Sequence, residues 1–171
     1  MKLRPLEETD LEFIHELAND YSLMSYWFEE PYNSLEKLKE HYRNNNSGES
    51  ARRFIVMNEL DKVGIVDLDH IDFIHRHCEI MLIIKPEFSG NGFAKFAFKE
   101  ATRYAFEVLN MHKVYLYVDV ENEKAVGIYK KQGFKNEGVL REHFYAKGKY
   151  KDAAFMSILK HEWLKKRAEG R

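Results

Sequence analysis

The chain has 171 residues, with 27 basic against 28 acidic side chains and a net charge of −1. That balance argues against a nucleic-acid or membrane-surface partner, and no run is long and apolar enough for a transmembrane span. The apolar fraction of 44% is ordinary for a globular protein, so one domain over residues 1–171 with a full core is expected.

In chain order, Lys2 to Leu6 reads as a short strand. Thr9 with Glu12 fits a helix-capping box, and Leu11, Ile14, Leu17 and Ala18 would share one face of that helix. The segment MSYWFEEPY spans Met24 to Tyr32. Ser34 is placed to cap a second helix through about Asn44, with a polar turn at 44–48. Strand patterns follow at Arg53 to Met57, Val63 to Leu68 and Glu79 to Ile84. A helical period of apolar residues runs from Gly92 to Leu109 through Ala94, Ala97, Phe98, Ala101 and Ala105. Val114 to Val118 is a β-branched and aromatic strand. Glu123 to Lys131 is helical and stops at Gly133. Strand resumes after Phe134, and Lys147-Gly148 marks a hairpin that ends near Leu159. The last eight or so residues are polar and are expected to fray.

This order predicts a mixed α/β domain: early helices, a run of strands, then two β-α-β passages. It is not a Rossmann repeat, because the glycines fall mid-chain without GxGxxG spacing, and no GK[ST] follows for a P-loop. The first residues, MKLRPLEETDL, lack the apolar run of a signal peptide. Cys78 is the sole cysteine, so an intrachain disulfide is impossible and a reducing cytoplasm is the expected location.

The stretch EIMLIIKPEFSGNGFAKFAFKEATRYAFEVL, Glu79 to Leu109, carries the clearest chemical signal. A strand, a glycine loop (Ser89, Gly90, Asn91, Gly92) and a helix follow without a gap. Glycines let backbone N–H groups approach a phosphate, and the helix N-terminus faces it with partial positive charge. A phosphorylated ligand is expected here.

Ser89 to Ala94 in this setting resembles motif A of the GCN5-related N-acetyltransferases (GNAT). Gly92 and Ala94 match its last positions, while Ser89 stands where Gln or Arg is usual. Asn122 to Phe134 (NEKAVGIYKKQGF) resembles the same family's N-x-x-A…Y-x-x-x-G-F segment. MSYWFEEPY, ARRFIV from Ala51, LNMHKVYLYVD from Leu109 and GKYKD from Gly148 narrow the likeness to bacterial spermidine/spermine N-acetyltransferases, over roughly Leu3 to Leu164.

The resemblance implies a GNAT fold: a mostly antiparallel twisted sheet, splayed at an acetyl-CoA slot and flanked by helices. It implies that Leu82, Ile83, Ile84, Ser89, Gly90, Asn91, Gly92, Phe93, Ala94 and Lys95 hold acetyl-CoA. Asn122, Lys124, Ala125, Tyr129 and Lys131 would serve its pantetheine arm and reacting end. Backbone N–H groups near Ile83 and Ile84 would bind the oxyanion. It also implies a homo-oligomer, up to the ring-like dodecamers known in the family.

Acetyl transfer needs an amine stripped of its proton, a donor for the oxyanion and a proton for the leaving thiolate. Tyr129 is the candidate acid, since a phenol with a pKa near ~10 is a neutral donor at pH 7. Glu79 begins the strand that leads to the loop. It is either a general base acting through water or a strand-edge carboxylate in a salt bridge.

A polyamine presents several cations on an apolar stem, which calls for carboxylates and aromatics. Met24, Trp27, Glu29, Glu30, Asp67 and His70 are the candidate acceptor residues. The family commonly has Glu at the positions of Asp67 and His70, and more acid near Asn33 and Lys37. Those departures should weaken polycation binding and any separate regulatory polyamine site. His75 and His77 would share a face with Cys78 turned away, too few ligands to predict a metal. Two further activities fit the motifs: Nα-acetylation of a protein N-terminus, and a catalytically idle CoA or polyamine sensor.

Overall fold

The computed structural model describes residues 1–21, 23, 33–45 and 50–169. Met24, Trp27, Glu29 and Glu30 therefore lie outside the described residues, as does most of the polar turn at 44–48. Among the described residues, seven strands form one sheet in the order β1-β2-β3-β4-β5-β7-β6. They are β1 (Lys2–Pro5), β2 (Arg52–Asn58), β3 (Asp61–Asp72), β4 (His77–Ile84), β5 (Lys113–Asp119), β6 (Lys135–Ala146) and β7 (Lys149–Leu159). The helices are α1 (Leu11–Asn19), α2 (Leu35–Asn45), α3 (Phe93–Glu107), α4 (Glu123–Gln132) and α5 (Lys160–Glu169). Every strand pairing is antiparallel except β4 with β5. A helix-containing crossover is what a parallel pair requires, and α3 supplies it.

The central strands bury both faces, which explains their near-continuous apolar runs. On one face, Val66, Leu68, Cys78, Ile80, Val114 and Leu116 pack under Ala97, Phe98, Ala101 and Phe106 of α3. On the other, Ile55, Met57, Ile65 and Ile83 pack under Phe13 and Leu17 of α1. Small residues on α3 let it approach the sheet closely, while Phe98 and Phe106 fill the gaps.

Two local expectations are corrected. The entry to α1 is not a Thr9–Glu12 box. Residues Glu8–Asp10 form a 3-10 turn, and the Glu7 amide donates to the Asp10 carboxylate at 2.9 Å. Asp10 serves here because Arg4 and Lys62 also hold it. Among the described residues the C-terminal segment is helical where fraying was expected: α5 extends to Glu169. Trp163 packs tilted against Phe106 with ring centroids 5.3 Å apart and Arg167 pairs with Glu107, so tertiary contacts order a polar sequence. The hairpin falls as expected. Lys147 and Gly148 both have positive φ (52° and 79°), which suits a two-residue turn matched to strand twist.

Candidate active site

The parallel pairing of β4 and β5 is short. His77, Cys78 and Glu79 pair with Lys113, Val114 and Tyr115, and there the pairing stops. Beyond it β4 continues to Ile84 along β3, and β5 continues to Asp119 along β7. The two strands therefore fork. The splay that the family resemblance implies is present, and it leaves the inner edges of Ile80–Ile84 and Leu116–Asp119 without each other as partners.

The glycine loop follows the far end of β4. Pro86–Phe88 makes a 3-10 turn, then Gly90 (φ 88°) and Gly92 (φ 84°) adopt left-handed backbone that only glycine takes freely. A Cβ built on either glycine meets nothing within 4 Å, so the outer side of the loop is open. Gly92 is the N-cap of α3 and has no side chain to cap it. The first-turn amides of Phe93, Ala94 and Lys95 have no partner inside the helix. The turn carries no acidic residue, and exposed Lys95 adds a cation. Phe93 itself is buried against Phe88, so its amide alone is available to a ligand.

A second helix start lies beside this loop. Asn122 caps α4, its Oδ1 accepting from the Ala125 amide at 3.1 Å. Lys124 Nζ donates to Ser89 Oγ at 3.3 Å, which ties α4 to the loop. Ser89, the departure from the usual motif, thus has a partner in Lys124. Lys131 lies on the same side of α4, two turns and about 10 Å further along. Tyr129 packs between Phe98 (5.0 Å) and Phe134 (6.4 Å). Burial pushes its phenol up to about 12. It therefore stays protonated at neutral pH and remains a hydrogen-bond donor.

Glu79 occupies the point of the fork. Its side chain is only 14% exposed, and Oε2 lies 3.3 Å from His70 Nδ1. Burial pushes the carboxyl above its ordinary value and Asp69 adds to that, while His70 opposes both. Tyr115 faces it across the pair, and its phenol is pushed far up by burial and then by the Glu79 charge. The alternation in VYLYV puts Tyr115 and Tyr117 on one face with Phe155. That pattern was readable as a shared face, yet only the fork reveals that Tyr115 stands beside Glu79.

A cavity of about 270 Å³ opens on the α1 side of the sheet. Leu11, Ile14 and His41 line its helical wall; Arg53, Asp67, Met81 and Ile83 line its sheet wall. Asp67 is buried and lies 3.4 Å from the Arg53 guanidinium, which also approaches Asp69 at 3.8 Å. Lys37 reaches the rim and donates to Asn33 at 2.8 Å. The cavity thus mixes two carboxylates with Arg53 and Lys37. His70 stands apart from this lining; it is exposed and turned to Glu79. His75 and His77 stack at 6.1 Å, and Cys78 is buried in the core with its thiol pushed up to about 12. Among the described residues, no group of three or more His, Cys, Asp or Glu is placed to hold a metal ion.

Comparisons with known proteins agree with this geometry. The chain is 46% identical over 164 residues to a spermidine N(1)-acetyltransferase of Escherichia coli strain K12, covering 96% of this chain and 88% of that one. A spermidine N(1)-acetyltransferase of Vibrio cholerae is 46% identical over 165 residues, covering 96% and 95%. The crystal structure of spermidine N-acetyltransferase from V. cholerae in complex with CoA and spermine superposes with a TM-score of 0.93. It is 45% identical and covers 95% of this chain and 97% of that chain. The acetyltransferase (GNAT) domain matches residues 1–135, more than half of the sequence. With strand fork, glycine-capped helix and sequence all in agreement, this chain belongs to the GNAT acetyltransferase family.

Proposed function

We propose that the protein transfers the acetyl group of acetyl-CoA to a primary amine of a polyamine such as spermidine or spermine. The observation that carries the donor side is the β4–β5 fork ending at Glu79–Tyr115, with the glycine-capped start of α3 at the end of β4. The acceptor side is supported by likeness to two spermidine N(1)-acetyltransferases over 96% of the chain.

The residues present fit acetyl-CoA. The open loop at Gly90 and Gly92, the acid-free first turn of α3, and Lys95 and Lys124 suit a pyrophosphate. The unpaired inner edge of β4 at Leu82, Ile83 and Ile84 suits the pantetheine arm and the oxyanion. Bound there, acetyl-CoA supplies the activated thioester. Glu79, through water, accepts the proton from the ammonium so that the neutral nitrogen can attack. Tyr129 donates its phenolic proton toward the departing sulfur, a role that its protonated state allows. Asp67 and Asp69 in the cavity wall, with Glu29 and Glu30 of the MSYWFEEPY segment, draw the remaining ammonium groups of the substrate.

A steady-state screen of polyamines, aminoglycosides and N-terminal peptides, read as free CoA released, tests this. Spermidine and spermine should turn over fastest. Turnover confined to peptides would establish the Nα-acetyltransferase alternative, and CoA binding without release would establish a sensor. Self-association into a homo-oligomer is part of the same proposal. Exposed Val139, Leu140, Tyr145 and Tyr150 on the β6–β7 hairpin support it, and sedimentation velocity measures it.

A further inference from the structure

The register of β3 against β4 breaks between Asp69 and Asp72. His70 sits in that break with φ at +48°, a left-handed backbone unfavourable for a residue with a Cβ. Its amide donates to Asp69 Oδ1 at 2.7 Å, which holds the kink. The consequence is directional. The bulge swings the imidazole across to β4, where Nδ1 comes within 3.3 Å of Glu79 Oε2. The pair is asymmetric: the His70 side chain is 69% exposed and the Glu79 side chain 14%.

We propose that His70 is a positioning residue for the Glu79 carboxylate, fixing its orientation at the fork and placing a cation beside it when the imidazole is protonated. This rests on the reading of Glu79 as the general base. Among the described residues, the following groups face Glu79. From β3 come Asp69 and His70, with Arg53 of β2 lying 3.8 Å from Asp69. From β5 come Tyr115 and Tyr117, whose phenols are raised by burial first and by Glu79 next or after. From β4 itself comes His77, two residues before Glu79 on the same strand face. Of the three basic groups His70, His77 and Arg53, His70 is the one paired with the Glu79 carboxylate. Burial and Asp69 both favour the protonated acid, so removing His70 leaves nothing in that pair to oppose them.

The test compares wild type, His70→Asn, His70→Lys, Glu79→Gln and the double variant His70→Asn/Glu79→Gln. Asparagine tolerates left-handed backbone well, so His70→Asn removes the charge without opening the bulge. The acid limb of kcat/KM for spermidine should move to higher pH in His70→Asn, with KM for acetyl-CoA unchanged. His70→Lys should return the limb toward the wild-type position. In the Glu79→Gln background, His70→Asn should cost nothing further. A second readout does not depend on turnover. In protein labelled with carboxyl-13C glutamate, the infrared band lost in Glu79→Gln should titrate at higher pH in His70→Asn than in wild type. A band that titrates at the same pH in both proteins overturns the pairing, whatever the enzyme does. A band that moves while the acid limb stays fixed upholds the pair and overturns Glu79 as the base. Additive losses in the double variant place His70 on the substrate instead.

Discussion

Glu79 and Tyr115 form the last residue pair between β4 and β5. The strands part immediately beyond them, so a carboxylate stands where the sheet opens. The pairing explains two properties together. Burial at the fork raises the Glu79 carboxyl, and burial first, then the Glu79 charge, raises the Tyr115 phenol. A raised carboxyl is a better proton acceptor near neutral pH than an ordinary glutamate.

Glu79→Gln should therefore lower kcat by about 100-fold and flatten the acid limb of the pH profile, since general bases contribute at least that much in typical enzymes. The stability effect has the opposite sign. A folded-state pKa above the unfolded value means that stability from this group is present at low pH and is lost as pH rises through the folded pKa. At pH 7 the ionised carboxylate is a cost, so Glu79→Gln should not lower Tm. Calorimetry at pH 7 beside the rate profile checks both, and a large drop in Tm would mark Glu79 as structural.

Tyr129→Phe keeps the ring packed against Phe98 and Phe134 and removes only the hydroxyl. Turnover should fall about 100-fold while acetyl-CoA affinity, measured by calorimetric titration, stays within a factor of a few. Because burial pushes the phenol up to about 12, wild type should show no basic limb from this group near the ordinary tyrosine value of about 10. Unchanged turnover in the variant would remove Tyr129 from the mechanism.

How much of this was legible in sequence depends on the kind of contact. The glycine loop and the α4 span were readable because their signals are local: glycines where left-handed backbone is needed, at Gly90 and Gly92, and Gly133 to end the helix. The fork was expected through family resemblance alone, since no local pattern says that pairing ends at Glu79. The bulge that brings His70 to Glu79 was not readable. Nothing in DLDHIDF distinguishes a kinked strand from a straight one, and His70 was expected among the acceptor residues. Thr9 as a cap failed for a related reason. Asp10 is chosen by Arg4 and Lys62, and Lys62 lies far along the chain. The α5 helix was missed because its sequence is polar; Trp163 and Arg167 meet α3 only in the folded state.

Gly64 gives a prediction that sequence alone would not make. A Cβ there would lie 2.2 Å from the Ile83 carbonyl oxygen and 2.7 Å from Ile84 Cδ1. The first obstacle is backbone, so β4 must shift just where its unpaired edge faces the fork. Gly64→Ala should cost about 1–3 kcal/mol, as overpacking does, and should raise KM for acetyl-CoA. Gly127→Ala is the contrasting control. Gly127 lies within α4, and its added methyl meets nothing within 4 Å. Helix propensity then predicts a gain of about 0.5–1 kcal/mol. Urea unfolding of both variants measures the pair, and equal effects would mean that β4 is not held against Gly64.

The buried Asp10 anchors the α1 side of the cavity from the far end of β1. Arg4 grips both of its oxygens, at 2.6 and 2.7 Å, Lys62 lies at 2.7 Å, and the Glu7 amide donates at 2.9 Å. The Arg4 hydrogen bonds, ahead of those from Lys62 and the Glu7 amide, hold the carboxyl well below the usual carboxylate range. For an acid with a depressed folded pKa, stability is present above the unfolded value of about 3.9 and is lost as pH falls below it toward the folded value. Asp10→Asn leaves Arg4 and Lys62 without their shared anion, which should cost about 3 kcal/mol at pH 7. The gap between variant and wild type in urea midpoint should then narrow steadily below about pH 4, as the wild-type carboxylate loses its advantage. A gap that persists unchanged to the lowest pH at which both proteins fold would show that Asp10 acts through shape and hydrogen bonding, and not through its charge.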